Sequence, residues 1–370
     1  MHLRHLALSC FRNMKMTRIE PGERFNLLYG FNGQGKTNLL EAIYLLGSPR
    51  SFRSSRLPEY ICHGETRAQI QGEVESGGAV SQIRLTMESA GRRVEIDGKG
   101  IQRASDLHGR LSAVVFSPDD TFMVKMGPEA RRRYLDRAVY TGDICYLRCW
   151  HTYHSILKQR NHLLKKNDYS CLDIWTEKLA EAGAEVIERR RQFVHKLNDK
   201  LKRHYETISG GTESADICYN PEGILASTSG EISRELLELF CRHAQSDRRY
   251  GTTTAGPHRD DLRLSLDGHP LKAFGSQGQQ KSFVLALKMA EIDNLQTIFN
   301  EPPLLLLDDM SSELDGDRNK NLMDFLISRD IQVFITSTGP LPALARAAEH
   351  CAVFLVEDGN LTFEGHTTHE

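Results

Sequence analysis

The chain has no long apolar run: nothing in its 370 residues approaches the ~18 consecutive apolar positions of a membrane-spanning helix. No signal-peptide pattern opens it either. Organised cysteines are also missing. The eight present form no C-x-x-C pair and no regular spacing, which argues against a disulfide scaffold and for free thiols in a reducing cytoplasm. Cys145, Cys149, His151 and His154 match no zinc framework and read as a helix packing small residues inward. Nor is there a large net charge. At −2 overall, any nucleic-acid surface has to come from local clustering. What remains is an ordinary globular composition, 39 % hydrophobic and 26 % charged. Its length suits two domains, or one nucleotide-binding core with a large insertion.

Against this background one stretch is specific. Gly30-Phe31-Asn32-Gly33-Gln34-Gly35-Lys36-Thr37 reads G-x-x-x-x-G-K-T, a phosphate-binding loop. Phe25–Tyr29 before it has strand length, and Leu39, Leu40, Ile43 and Leu46 after it have the spacing of an amphipathic helix. Backbone N–H groups of such a loop face a polyanion, and the helix dipole adds positive potential. Lys36 is expected to reach the β- and γ-phosphates of ATP, and the Thr37 hydroxyl to hold Mg²⁺. Upstream, Leu6, Leu8 and Cys10 alternate as a strand ending at Phe11, Arg12 and Asn13, which places Arg12 and Asn13 beside the loop.

Far along the chain, Leu304–Leu307 is a buried-type strand closed by Asp308 and Asp309, the Walker B pattern. Asp308 is expected to hold Mg²⁺ through water, and Asp309 to act as base or positioner for the attacking water. Before it, Ser276, Gly278 and Gln279 open an apolar helix and resemble the ABC-type signature, in which such residues grip the γ-phosphate bound to the opposite subunit. Ser311–Asp315 resembles the following D-loop, with Asp315 at its end. Ser337-Thr338, after the strand Ile331–Thr336, stands where many such ATPases have a histidine.

Between the two halves the texture changes. Residues 67–97 alternate in short segments with Gly77-Gly78 and Asp97-Gly98 as hairpin signals, predicting an antiparallel sheet. Ser112–Phe116 is a further buried strand. Long helices follow, one of them over Leu172–Ile208 with a heptad-like stripe, roughly 55 Å if unbroken. From Arg131 to Glu206 there are 17 Lys/Arg against 10 Asp/Glu, a local surplus in a slightly acidic chain. This points to a phosphate-backbone surface at Arg131, Arg132, Arg133, Arg189, Arg190 and Arg191, with the basic loop of Arg50, Arg53 and Arg56 as the alternative.

Taken together, these motifs resemble the RecF family of bacterial recombination mediators, SMC-like ABC-type ATPases. The resemblance covers nearly the whole chain. It includes Pro118-Asp119, Gly127-Pro128, Arg131-Arg132, Tyr134-Leu135-Asp136, Gly256–Asp261 and Leu306–Asp309 through Asp315 and Arg318, while Met126 stands where a glycine is usual. It implies an α/β fold: an ABC-type P-loop ATPase head, residues 1–118 and 250–370, with an antiparallel β subdomain and an inserted helical lobe, residues 119–249. It also implies a cytoplasmic protein of recombinational repair and replication restart that binds ATP with Mg²⁺, dimerises on ATP and hydrolyses it slowly. Its partners would be single-stranded, gapped and duplex DNA, RecR and RecO, and indirectly RecA, with a part in SOS induction. Three other classes compete, one of them a non-hydrolysing scaffold in which nucleotide only switches shape, against which the intact Asp308 and Asp309 count. A transporter ATPase would lack the large insertion between Lys36 and Ser276, and a chromosome-organising SMC protein would need a far longer coiled coil. For His258, Arg259, Asp260 and Asp261, spacing suggests a turn with local carboxylate pairs and no mechanism.

Overall fold

The computed structural model describes residues 1–48, 50–53, 56–102, 106–309, 316–339 and 351–367. In chain order the elements are β1 His2–Phe11, β2 Met14–Ile19, β3 Phe25–Tyr29, α1 Lys36–Gly47, β4 Arg67–Ser76, β5 Ala79–Glu88, β6 Gly91–Ile96, β7 Lys99–Ile101 and β8 Ala113–Phe116. Then come α2 Pro118–Lys125, α3 Pro128–Gly142, α4 Ile144–Lys166, α5 Leu172–Ser209, β9 Ala215–Tyr219, α6 Ser229–Tyr250, β10 Leu262–Leu266, β11 His269–Pro270, α7 Leu271–Phe274 and α8 Gln277–Phe299. The chain closes with β12 Leu304–Leu307, a helix Gly316–Ile327, β13 Val333–Ser337, β14 Cys351–Glu357 and β15 Asn360–Thr367. Two compact units result: Met1–Asp120 with Glu291–Glu370, and Thr121–Ala290.

The first unit holds two six-stranded sheets. One is antiparallel, in the order β2-β1-β4-β5-β6-β7. Its hairpin turns carry Gly77 and Gly78 at φ +60 and +72, and Asp97 and Gly98 at +51 and +74, the left-handed pairs that match strand twist. The other runs β15-β14-β3-β13-β12-β8 and is parallel except at the β15 edge. β13 therefore lies between β3, which feeds the phosphate loop, and β12, which ends in the two aspartates.

Helix α1 is not the one-sided helix its leucine spacing implies. Leu39, Leu40, Ala42, Ile43, Leu45 and Leu46 are all fully buried, and they share one core with Leu6, Leu8, Ile70, Leu85, Leu304 and Phe334. Both sheets contribute to that core, so α1 has no solvent face and is apolar on almost every side. A Cβ at Gly72 would meet Leu46 Cδ1 at 2.3 Å, which is why β4 carries a glycine there.

The second unit is mainly helical, and the expected long helix is present: α5 runs unbroken for 38 residues. Leu179, Ala182, Val186, Phe193, Leu197, Leu201 and Tyr205 are buried along it. The expected boundary at 249/250 is displaced to 290/291. The reason is a three-stranded sheet, β11-β10-β9, that the helical texture concealed: β10, after the boundary, pairs with β9, before it. Buried ion pairs pin the helices. Arg160 of α4, 2 % exposed, reaches Asp247 of α6 at 2.8 Å and Thr176 of α5 at 3.0 Å. No helix among the described residues is long and apolar enough to cross a membrane.

Candidate functional site

The phosphate loop is built by glycines that nothing else could replace. Gly30 has φ +151, and a Cβ on it would lie 2.3 Å from Val356 O; Gly35 has φ +114, and its Cβ would lie 2.7 Å from Asn13 Oδ1. Gly35 caps α1 without a side chain, so the first-turn N–H groups are left to the loop and to whatever anion it faces. Phe31, Asn32 and Gly33 form the exposed crest. Lys36 is largely buried. Its Nζ donates to Gly30 O at 2.5 Å and Phe31 O at 2.8 Å, and burial lowers its pKa against the attraction of Asp309 and Asp308.

Thr37 and Asp308, 271 positions apart, meet here: Thr37 Oγ1 donates to Asp308 Oδ1 at 2.8 Å. Thr336, at the end of β13, donates to the same oxygen at 2.8 Å and accepts from the Asp309 N–H at 2.8 Å. Burial raises the Asp308 pKa, opposed by the hydrogen bonds from Thr336 and Thr37 and by nearby Arg53. Asp309 takes the left-handed conformation, φ +52, which an aspartate tolerates better than most residues. Strand order explains Thr336: β13 separates the two motif-bearing strands, so its last threonine faces both. No motif points to it, and a hydroxyl at the end of a strand next to Walker B is the signal that would have found it.

Glu41 and the β14–β15 turn at Asp358 and Gly359 escape sequence reading. Gln34 is held from the β14–β15 turn, its carbonyl accepting from Gly359 N at 3.0 Å and its side chain from Asp358 N at 2.5 Å. Glu41, fully buried in α1, takes Arg12 in two bonds of 3.0 and 2.8 Å and also accepts from Ser51. Asn13 donates to Gln34 O at 3.0 Å as expected beside the loop, whereas the Arg12 guanidinium is turned to Glu41 and lies 5.1 Å over the Tyr60 ring.

Ser276 and Gln279 form a capping box at the start of α8. Ser276 Oγ accepts from Gln279 N at 3.1 Å, and Gln279 Oε1 accepts from Ser276 N at 2.6 Å. Gln279 is anchored further by Glu213 at 2.5 Å, while Gly278 sits in the first turn. Ser276 itself is exposed. Asp315 and the rest of the D-loop lie outside the described residues. Ser337 accepts from Gly30 N through its carbonyl at 3.3 Å.

The arginines expected to meet DNA need correction. Arg131 forms a two-bond pair with Asp261 at 2.7 and 2.8 Å, and Arg132 donates to the Asp260 carbonyl at 2.8 Å. Arg190 is 1 % exposed and holds Asp136, Tyr146, Tyr219 and the Pro257 carbonyl. Arg189 pairs with Asp143, and Arg191 donates to the carbonyls of Ile224 and Ala226. These five cations serve the second unit's interior and loops. Arg133, 70 % exposed, is the one of the six left largely to solvent. Five of these six guanidinium groups are thus engaged by partly buried carboxylates and by carbonyls that sequence counting cannot pair. In the alternative loop, Arg53 reaches Asn38 at 2.7 Å, Arg56 lies 3.9 Å from Glu59, and Arg50 is exposed.

Gly256–Asp261 also gains a definite role. Tyr153 OH lies 2.7 Å from His258 Nδ1, His258 Nε2 lies 3.0 Å from Thr253 O, and Tyr219 OH donates to Asp260 Oδ2 at 2.5 Å. With Arg131–Asp261 this is a buried polar hub inside the second unit. Elsewhere, Cys149 Sγ bonds Glu185 at 2.9 Å and burial pushes it up to about 11, while His154 stacks on Trp150 at 3.8 Å.

A family model, the RecF/RecN/SMC N terminal domain, matches residues 2–362. The DNA replication and repair protein RecF of Trichlorobacter lovleyi is 48 % identical over 368 residues, 100 % of both chains. The chain belongs to the RecF family. A solved RecF structure, the recombination mediator protein RecF-ATPrS in the RecFOR pathway, superposes on this RecF-family chain with a TM-score of 0.91 at 32 % identity and 98 % coverage of each chain. An SMC head bound to the C-winged helix domain of ScpA matches with a TM-score of 0.58 at 17 % identity, covering 99 % of this chain and 98 % of that one. That likeness is of fold: the ABC-type ATPase head shared by RecF and SMC proteins, as the motifs implied.

Proposed function

We propose that this RecF-family chain is an ATP-dependent DNA-binding protein of recombinational repair, in which ATP joins two copies and slow hydrolysis separates them. The observation that carries the nucleotide reading is the Thr37–Asp308 hydrogen bond of 2.8 Å, which brings the end of the phosphate loop to the Walker B carboxylate. A hydroxyl and a buried carboxylate form a hard oxygen donor set that suits Mg²⁺. Thr37 and Asp308 would hold it, and the ion would neutralise phosphate charge. Asp309 would position the attacking water, its backbone held by Thr336. Ser276 and the first turn of α8 would meet the γ-phosphate of a second copy. The solved relative's place in a RecFOR pathway supports RecO and RecR as partners and recombinase loading as the outcome.

The test is gel filtration and DNA binding of the purified chain with no nucleotide, ADP and ATP. Dimer and DNA affinity are expected to rise together with ATP alone. Equal elution and equal affinity in all three states would reject the switch.

A further inference from the structure

With five of the six arginines marked by the sequence engaged in the second unit, exposed arginines of the first unit become stronger candidates for a backbone-binding surface. We infer that the outer face of the antiparallel sheet in the first unit supplies it. A trough of about 410 Å³ there, lined by Arg67, Arg84 and Arg93, receives the phosphate backbone of a nucleic-acid strand. This inference rests on the DNA-binding reading above.

Strand register sets the arginine spacing. On β5, Arg84, Thr86 and Glu88 alternate with Leu85 and Met87, which are fully buried, so the first three share the outer face. Arg84 lies opposite Glu95, Thr86 opposite Arg93, and Glu88 opposite Arg67. Each of three successive rows therefore contributes one arginine. Rows repeat at about 7 Å and strands at about 4.8 Å. The backbone positions of Arg84 and Arg93 therefore lie about 8 Å apart and those of Arg93 and Arg67 about 12 Å, within reach of successive or alternate phosphates for long side chains.

These cations are loosely held. Arg67 Nε is 3.8 Å from Glu88 with its side chain 57 % exposed, and Arg93 Nε is 4.0 Å from Glu95 with 77 % exposed. Arg84, half-buried, makes only long bonds, to Glu95 at 3.3 Å and Gln71 at 3.4 Å, and its Nε has no hydrogen-bond partner among the described residues. By contrast, Arg131 and Arg190 meet their carboxylates at 2.7 Å. Long, exposed pairs are weak and easily exchanged, and a guanidinium released from glutamate presents a donor fork matched to phosphate. Among the described residues the trough is lined by no large apolar side chain to receive a peptide, which favours a nucleic-acid backbone over an acidic protein segment.

The test uses the full chain with Arg67→Gln and Arg93→Gln together, both exposed, so that folding is spared. Fluorescence anisotropy with duplex and single-stranded oligonucleotides in ATP is read across a salt series. Affinity is expected to fall roughly tenfold for unrelated sequences alike. For each phosphate no longer neutralised, the log–log salt slope should lessen by about 0.9 on duplex and about 0.7 on single strands. ATP affinity and Tm should be unchanged. A wild type that binds DNA and a variant with the same affinity and slope would overturn the trough while leaving DNA binding standing. No DNA binding by the wild type in any nucleotide state would remove the underlying reading instead. Loss of poly-glutamate binding with DNA binding intact would overturn the proposal in favour of an acidic protein partner.

Discussion

Thr336 stands between the two Walker B aspartates, donating to Asp308 Oδ1 and accepting from the Asp309 N–H, each at 2.8 Å. One hydroxyl thus fixes the rotamer of the carboxylate assigned to the metal and the backbone of the one assigned to water. The left-handed φ of Asp309 makes that second bond consequential, since a conformation that costs a non-glycine residue energy persists only where its surroundings hold it.

Thr336→Val keeps the shape of the side chain and removes both bonds. Unfolding free energy is expected to fall by about 1–3 kcal/mol, the cost of leaving buried partners unmet. ATP hydrolysis should fall by a larger factor than ATP affinity, because the loop and Lys36 are untouched. Urea unfolding, nucleotide titration and steady-state ATPase rates measure all three; unchanged hydrolysis would reduce Thr336 to a sheet residue.

Asp308→Asn has a predictable pH signature. The native pKa of Asp308 is raised, by burial first, so the folded state holds this proton more tightly than the unfolded chain. The ionised carboxylate therefore costs stability near neutral pH, and the cost fades as pH falls through the raised value. Without nucleotide, the asparagine variant is expected to melt higher than wild type near neutrality, with the margin closing on acidification, and to lose Mg²⁺-dependent ATP binding. A margin independent of pH would contradict this.

His258 works in the opposite sense. Its Nε2–H donates to a carbonyl and its Nδ1 accepts from Tyr153, which holds the ring neutral, and burial pushes its pKa down to about 4. Its contribution is intact above the unfolded value and is lost as pH falls from there toward about 4, on the order of 3 kcal/mol in all. His258→Gln is expected to lower stability near neutrality yet flatten the acid limb of the curve, followed by urea unfolding. Parallel limbs in wild type and variant would sink the assignment.

Ser276→Arg tests whether the signature acts across a dimer. The variant should bind ATP as a monomer near wild-type affinity, fail to dimerise and hydrolyse poorly. Because Ser276 also caps α8, Ser276→Ala serves as the capping control, at about 1 kcal/mol of stability. Mixing Ser276→Arg with Lys36→Ala chains gives dimers with one doubly defective and one intact composite site, so activity should return. No recovery at any ratio, with both variants folded, would argue against a trans role.

The sequence by itself determined the local units: the strand–loop–helix around Lys36, the strand ending at Asp308, the hairpins at Gly77-Gly78 and Asp97-Gly98, and the unbroken α5. Each rests on short-range physics, namely glycine conformations, apolar period and capping. Tertiary structure decided everything that depends on distant partners. Whether α1 has a solvent face depends on two sheets closing over it, and Thr336 matters because β13 lies between β3 and β12. The arginine runs show the limit most clearly. Charge along a helix can be counted from sequence, but Arg190 finds Asp136 and the Pro257 carbonyl only through folding. Arg67 and Arg93, less conspicuous in the sequence, stay exposed because strand alternation turns them outward.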